Sequence, residues 1–499
     1  MVEHNQLLAQ SIFPRLNCNQ YNNDDAYRDG INRLVDNRMA GGFVVFDGSI
    51  ETVQTVLAGL RARSGGTLLF AADCEDGVTM RFSGGTQFPS MMALGNSRDV
   101  STTYSVARSI AREMRSIGIH WNFAPVADIN TNPENPIINV RAFGESPELV
   151  SDHVHAYVQG MQDGGVAACA KHFPGHGDTS VDTHSQLAVL DADRRRLNSV
   201  ELLPFRNAVR NGVRSIMVGH ISVPALDPGG LPASLSEAIT RNVLRLELGF
   251  DGVIVTDALD MNAITDAYGP AEAALMAYHA GADVLCIPAD PVAAYDALVA
   301  AFSAKRITVS RLRDSSSRIG AMRKWASAFQ DDVQTQSLTW RGHDLIALEA
   351  ARRSISITGR LRGLAEPLVI VAMVDTPEND KAEEWLRHVA DWHRGEAHAV
   401  VVTPDAAPER VCEIMEMIEG AASVMMALFV KPRGYAGTVG LSAAQREIAD
   451  RALARPTVLI SFGNPYLLRD AEPSVRIDTF SASSASLAAS IEALARATK

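Results

Sequence analysis

The sequence predicts an α/β protein: a (β/α)8-type TIM barrel over residues 1–330, a linker over 331–344, and a smaller α/β/α sandwich over 345–499. Three observations predict it. Short, almost wholly apolar runs alternate with longer amphipathic segments, and a strand apolar on both sides suits a parallel sheet covered by helices. About eight such strand–helix units precede residue 330, the number that closes a barrel. Polar residues gather just after the apolar runs, where a barrel carries its chemistry. A doubly wound open sheet is the alternative, and strand count alone does not separate the two.

The strand runs begin with Leu8–Phe13, Gly42–Phe46 and Leu68–Ala72. They continue with His120–Ala124, Ala167–His172, Ser215–His220, Gly252–Asp257 and Asp283–Ile287. Helical periodicity fills the intervals over Ser101–Ser116, Ser146–Gln162, Ser236–Leu248 and Ala271–Ala280. The polar stretch DDVQTQSLTWRGHD, 331–344, breaks the rhythm and reads as a linker. Leu345–Ser354 is again helical. A second alternation follows, with strands at Leu368–Met373, Ala399–Val402, Val424–Val430, Val458–Phe462 and Val475–Asp478, and helices at Ala382–His393 and Ser442–Ala452.

A formal net charge of -12 argues against a nucleic-acid partner. Hydrophobic residues at 46% and charged residues at 21% are ordinary for a globular chain with ample core. The opening MVEHNQLLAQSIFPRLN has no basic segment followed by an apolar one, so no secretory signal is expected. No window approaches the roughly 18 apolar residues of a membrane span. Five cysteines (Cys18, Cys74, Cys169, Cys286, Cys412) are scattered, without CxxC spacing. The expectation is a cytoplasmic protein with no membrane partner.

The polar clusters follow in order. The third strand runs into Asp73-Cys74-Glu75-Asp76-Gly77, and the fourth leads to Asp128, Asn135-Pro136 and Arg141. The fifth ends at Lys171-His172 and opens the loop FPGHGDTSVDTH, 173–184. Three readings of that loop compete. His172, His176, Asp178, Asp182 and His184 could ligate zinc or iron. Alternatively, Asp182 orients His184 as an acid/base pair, which requires the backbone between them to turn. The plain reading is a Gly-rich surface loop. The sixth strand ends at His220, either a hydrogen-bonded core residue or a substrate contact. Asp257 leaves the seventh strand where it can face a substrate or cap a helix over Ala258–Ile264; Asp260 and Asp266 lie further from the strand end.

These segments resemble family 3 glycoside hydrolases, in the branch of β-N-acetylglucosaminidases. The loop KHFPGHGDTSVDTH (171–184) matches that branch's KHFPGHGxxxxDxH signature. The resemblance runs through FPSMMALG (88–95), FAPVADINTNPENPIINVRAFG (123–144), PASLS (232–236) and GFDGVIVTDALDMNAI (249–264), in the family's order. Asp73-Cys74-Glu75-Asp76-Gly77 stands where the family often shows Asp-Gln-Glu-Gly-Gly, and Arg81 lies in an altered context. These departures are local and bear on the acceptor side of the pocket.

The resemblance implies a retaining glycosidase. Asp257 would be the nucleophile, His184 the acid/base and Asp182 the partner that points the imidazole. Asp73, Arg141, Lys171 and His172, together with Asp128, would grip the sugar hydroxyls. Such chemistry needs a carboxylate that attacks the anomeric carbon and a second group that protonates the leaving oxygen. Cations such as Lys171 and Arg141 would favour the ionised nucleophile. A histidine, with an ordinary pKa of ~6.5, can both donate and accept near neutrality. No cofactor or metal is needed. The implied substrate is N-acetylglucosamine on peptidoglycan fragments or chitin-derived oligosaccharides. The rivals are a phosphorylase, since a neutral histidine base repels phosphate less than a glutamate would, a non-catalytic sugar-binding protein, and a metal-dependent hydrolase. The segment Lys431–Gly440 (KPRGYAGTVG) reads as a surface loop or as one that reaches an active site.

Overall fold

The computed structural model describes residues 2–182, 186–329, 340, 342–431 and 440–498. The chain forms two compact units. The first takes in Met1–Thr86, Thr103–Asn135 and Glu145–His343, and the second Gln87–Thr102, Pro136–Gly144 and Asp344–Lys499. Two stretches that follow the third and fourth barrel strands in sequence thus belong to the second unit.

In the first unit eight parallel strands close on themselves. The first is Ile12–Phe13, continued past Pro14 by Arg15–Asn17. Next come Gly42–Phe46, Leu69–Ala72, Trp121–Asn122, Ala167–Phe173, Ser215–Val218 and Val253–Thr256, each paired in parallel with its neighbour. The eighth, Leu285–Cys286, pairs with Ile12–Phe13, and the bridge between Val255 and Val284 joins it to the seventh. The two halves of the first strand therefore pair with opposite neighbours, which closes the ring.

Inside the barrel, Phe13, Val44, Leu69, Ala71, Trp121, Phe123, Cys169, Met217, Val255 and Cys286 form one buried cluster. Trp121 meets Phe13 and Phe123 edge-on, and its indole N–H donates to Ser215 Oγ at 2.7 Å. Burying such a side chain stabilises the fold by about 1.5–3 kcal/mol, and the hydrogen bond removes the desolvation cost of the N–H. Just before the eighth strand, buried Asp283 accepts from Arg245 at 2.7 Å, from Arg311 and Arg318 at 3.3 Å, and from the Ile254 amide at 3.0 Å. That end of a barrel serves stability rather than chemistry.

The sequence places seven of the eight strands within a few residues. The first differs: Val2–Ala9 is helical and the strand starts at Ile12 rather than Leu8. Leu8 and Ala9 are the buried side of that helix, and the Ser11 amide closes its end on the Leu8 carbonyl at 3.0 Å. The apolar run thus spans a helix end and a strand start.

The second unit holds a six-stranded sheet. From one edge the strands are Ser356–Gly359, Val475–Asp478, Thr457–Ser461, Ser423–Phe429, Leu368–Val374 and Ala397–Val402, with only the first pair antiparallel. Along Leu368–Val374 the side chains alternate between two cores. Leu368, Ile370, Ala372 and Val374 pack with helices Lys381–Trp392 and Ser484–Ala497, while Val369, Val371 and Met373 pack with Pro408–Gly420 and Ala443–Leu453. A strand covered on both sides has to be apolar throughout. Within this unit Ser90 Oγ donates to the Phe480 carbonyl and Asn96 Nδ2 to that of Ser354, both at 2.7 Å. Among the described residues no helix is long and apolar enough to cross a membrane.

Candidate active site

The third strand delivers Asp73 and Glu75, and the fifth delivers Lys171 and His172. Lys171, 2% exposed, sits between two carboxylates, with its ammonium 2.8 Å from Asp73 Oδ1 and 2.7 Å from Glu75 Oε1. The second oxygen of Asp73 accepts from Arg81 at 3.0 Å. Burial opposes ionisation of Asp73, but Lys171 and Arg81 outweigh it and hold its carboxyl below the usual range. The Arg81 guanidinium also lies 4.8 Å from the centre of the Phe46 ring.

His172 Nδ1 lies 2.7 Å from Asp128 Oδ2. The other oxygen of Asp128 accepts two backbone amides, from His172 at 3.2 Å and from His176 at 2.7 Å. Burial pushes the Asp128 carboxyl up, and the His172 and His176 contacts more than reverse that. Asp128 thus ties the end of the fifth strand to the loop that leaves it. Asn135 Nδ2 donates to the carbonyls of His176 and Thr179, at 2.8 and 2.9 Å. Thr131 and Arg196 both bind the Asp178 carboxylate, at 2.7 and 2.8 Å. Buried His176 is held down at about 4, chiefly by burial, and its Nδ1 lies 2.6 Å from Thr179 Oγ1.

The glycines of this loop are spatial requirements. Gly175 has φ +133°, and a Cβ on Gly177 would lie 1.7 Å from the carbonyl oxygen of Ile129. That neighbour is backbone beside Asp128 and cannot swing aside. Gly177→Ala is expected to lower stability by about 3 kcal/mol and to reduce turnover. Thermal melting with an activity assay checks this, and a variant that melts and turns over like the wild type would contradict the packing described.

Asp257 follows the seventh strand, with its amide bonded to the Val218 carbonyl at 2.8 Å. It is partly exposed, and its Oδ1 accepts the Ala258 amide at 2.8 Å. The next helix is the short Asn262–Thr265, capped from Met261, so Asp257 is not its cap. The charge of Asp257 reaches His176 and the buried thiols of Cys169 and Cys286. Asp73 acts on the same two thiols, so carboxylates from the third and seventh strands converge on the same end of the barrel. Burial is the main cause that pushes the Cys169 thiol up to about 12, which suits a packing residue rather than a nucleophile.

His220 lies just past the sixth strand, Ser215–Val218. It is buried and both ring nitrogens are engaged within the protein: Nδ1 lies 2.7 Å from Ser234 Oγ and Nε2 lies 2.9 Å from the Ala258 carbonyl. Its Nε2 contact reaches the turn that follows Asp257. Asp182 is buried and its carbonyl accepts the Gln186 amide at 3.2 Å. His184 lies outside the described residues, as do most of the Lys431–Gly440 loop and of the 331–344 linker. Arg141 ends a short turn, Asn139–Arg141, assigned to the second unit, and donates to the Ile137 carbonyl at 3.0 Å. Among the described residues no three His, Cys, Asp or Glu side chains are grouped as metal ligands. The supporting roles of Asn135 and Thr179 went unnoticed in the sequence, where short polar side chains on a loop carry no signal of their own.

The sequence pattern of the Glycosyl hydrolase family 3 N terminal domain matches residues 6–322. The chain is 36% identical over 283 residues to Beta-hexosaminidase A of Pseudoalteromonas piscicida, an alignment covering 52% of this chain and 47% of that protein. It is 37% identical over 306 residues to Beta-hexosaminidase LpqI of Mycobacterium tuberculosis, covering 58% of this chain and 77% of that one. The chain thus spans about half the length of the first relative and about three quarters of the second. A solved family 3 β-N-acetylglucosaminidase from Paenibacillus sp. str. FPU-7 superposes with a TM-score of 0.85 at 29% identity, over 98% of this chain and 96% of that one.

Proposed function

This chain belongs to glycosyl hydrolase family 3, and on that premise we propose that it is a retaining β-N-acetylglucosaminidase. The observation that carries the reading is Asp257: a partly exposed carboxylate at the C-terminal end of the seventh barrel strand that caps no helix. In this reading its carboxylate attacks the anomeric carbon while His184, pointed by Asp182, protonates the departing oxygen. Water, deprotonated by the same imidazole, then breaks the glycosyl ester and regenerates Asp257. Asp73, Lys171, His172 and Asp128 form the charged floor that receives the sugar hydroxyls.

The names borne by the two aligned relatives and by the Paenibacillus structure support an N-acetylhexosaminide substrate. We assign terminal N-acetylglucosamine on peptidoglycan fragments or chitooligosaccharides, cleaved in the cytoplasm. The test is turnover of an aryl β-N-acetylglucosaminide beside the matching β-glucoside, each with and without phosphate. Free N-acetylglucosamine in both buffers, from the N-acetyl substrate alone, is the expected result. A sugar 1-phosphate formed only with phosphate would make the protein a phosphorylase, and no turnover of either substrate would remove the assignment.

A further inference from the structure

Resting on that reading, we infer that His220 is a positioning residue for the Asp257 nucleophile. The turn carrying Asp257 is fixed at three successive residues. The Asp257 amide is held by Val218, the Ala258 carbonyl by His220 Nε2, and the Leu259 amide by the Cys286 carbonyl at 2.9 Å. Two of these holds are backbone to backbone from neighbouring strands. The Ala258 carbonyl also accepts the Met261 amide from within the turn, at 3.2 Å, and the His220 contact is the one a side chain of another segment supplies.

The proton placement follows from the partners. A carbonyl can only accept, so Nε2 carries the hydrogen and donates it to Ala258. Nδ1 meets the Ser234 hydroxyl, which can donate or accept. Ser234 is itself fixed, since its amide donates to the Gly219 carbonyl at 3.2 Å and it is fully buried in the PASLS segment. The chain of bonds therefore runs from Ser234 through His220 to the carbonyl of the residue whose amide grips Asp257 Oδ1. Losing the His220 bond leaves that carbonyl to the Met261 amide alone, at 3.2 Å, and loosens the 258–259 peptide beside the residue whose amide grips the carboxylate, at the atom whose line of attack must be held most tightly. A misplacement of about 1 Å at a reacting group lowers rates by about 10²-fold.

The experiment compares wild type, Asp257→Asn, His220→Ala, His220→Gln and Ser234→Ala with aryl β-N-acetylglucosaminides, reading kcat and KM separately beside the melting temperature. His220→Ala is expected to lose about 10²-fold in kcat with KM changed little, because the sugar contacts on the third and fifth strands are untouched. The Gln amide can donate to the Ala258 carbonyl and should restore most of the loss. Ser234→Ala, a milder change, should shift kcat in the same direction without moving KM, and it decides the matter if His220→Ala does not fold. A purely structural histidine would lower the melting temperature in all three variants and leave kcat at 25 °C as in the wild type, which overturns the inference. Equal kcat in the Ala and Gln variants overturns it as well. An inactive wild type removes the glycosidase reading and this role with it, whereas an active wild type with a dead Asp257→Asn leaves the His220 result to stand alone.

Discussion

Asp257→Asn is expected to abolish turnover, lowering kcat by about 10⁴-fold or more, as loss of a covalent nucleophile does elsewhere. The amide has nearly the shape of the carboxylate, and its oxygen can still accept the Ala258 amide that Asp257 Oδ1 accepts now. The turn should therefore hold and the melting temperature should stay near that of the wild type. What disappears is the anion that forms the glycosyl ester. Asp257→Ala supplies an independent check: azide added to that variant can enter the space vacated and should yield a glycosyl azide of inverted configuration. Substantial turnover by Asp257→Asn would put the nucleophile on another carboxylate.

The second large effect is expected at Lys171. Its ammonium is buried between Asp73 and Glu75, and Glu75 is 5% exposed. Lys171→Met keeps the bulk of the stem but leaves two close carboxylates short of a cation, and breaking a buried ion cluster in this way destabilises by about 3–5 kcal/mol. The pH dependence should change sign. In the wild type the Asp73 carboxyl is held below its usual range, so its contribution is fully present above the unfolded value near ~3.9 and is lost as pH falls through the lower folded value. In the variant one of the two carboxyls should retain a proton to higher pH than when unfolded, so stability should recover as pH falls from neutrality. Melting curves from pH 7 to pH 4 distinguish the two. Parallel pH profiles for wild type and variant would mean that Lys171 does not compensate these charges. Activity should fall as well, since the cluster forms the floor of the proposed sugar site.

Much of the barrel was legible because its strands are apolar runs whose ends coincide with chemistry. Gly42–Phe46 and Ala167–Phe173 announce themselves by composition. Leu8–Phe13 misleads because composition does not distinguish the inner side of a helix from the start of a strand. Ser356–Gly359 was missed for the opposite reason. It is short and polar, and it joins the sheet only by antiparallel pairing with Val475–Asp478 at an edge. Within the site, positions at strand ends were readable but pairings were not. Lys171 meets Asp73 across 98 residues, and the contact of His220 with Ala258 crosses 38. Such contacts depend on the register of closed strands, which no local window contains. The same holds for Gln87–Thr102 and Pro136–Gly144, which composition places with the barrel and packing places with the second unit.

That exchange has a consequence in time. Ser90 finds its partner carbonyl on Phe480, 390 residues later in the chain. At a synthesis rate of about 5–20 residues per second, the segment around Ser90 leaves the ribosome about 20–80 s before its partner exists. Gln87–Thr102 and Pro136–Gly144 are made early and settle late, and Arg141 lies in the second of them. The nascent barrel can assemble its strands as they emerge, but the loop bearing Arg141 stays unfinished until the last strands of the second unit have been made. Cutting the chain at residue 343 would extend that delay indefinitely.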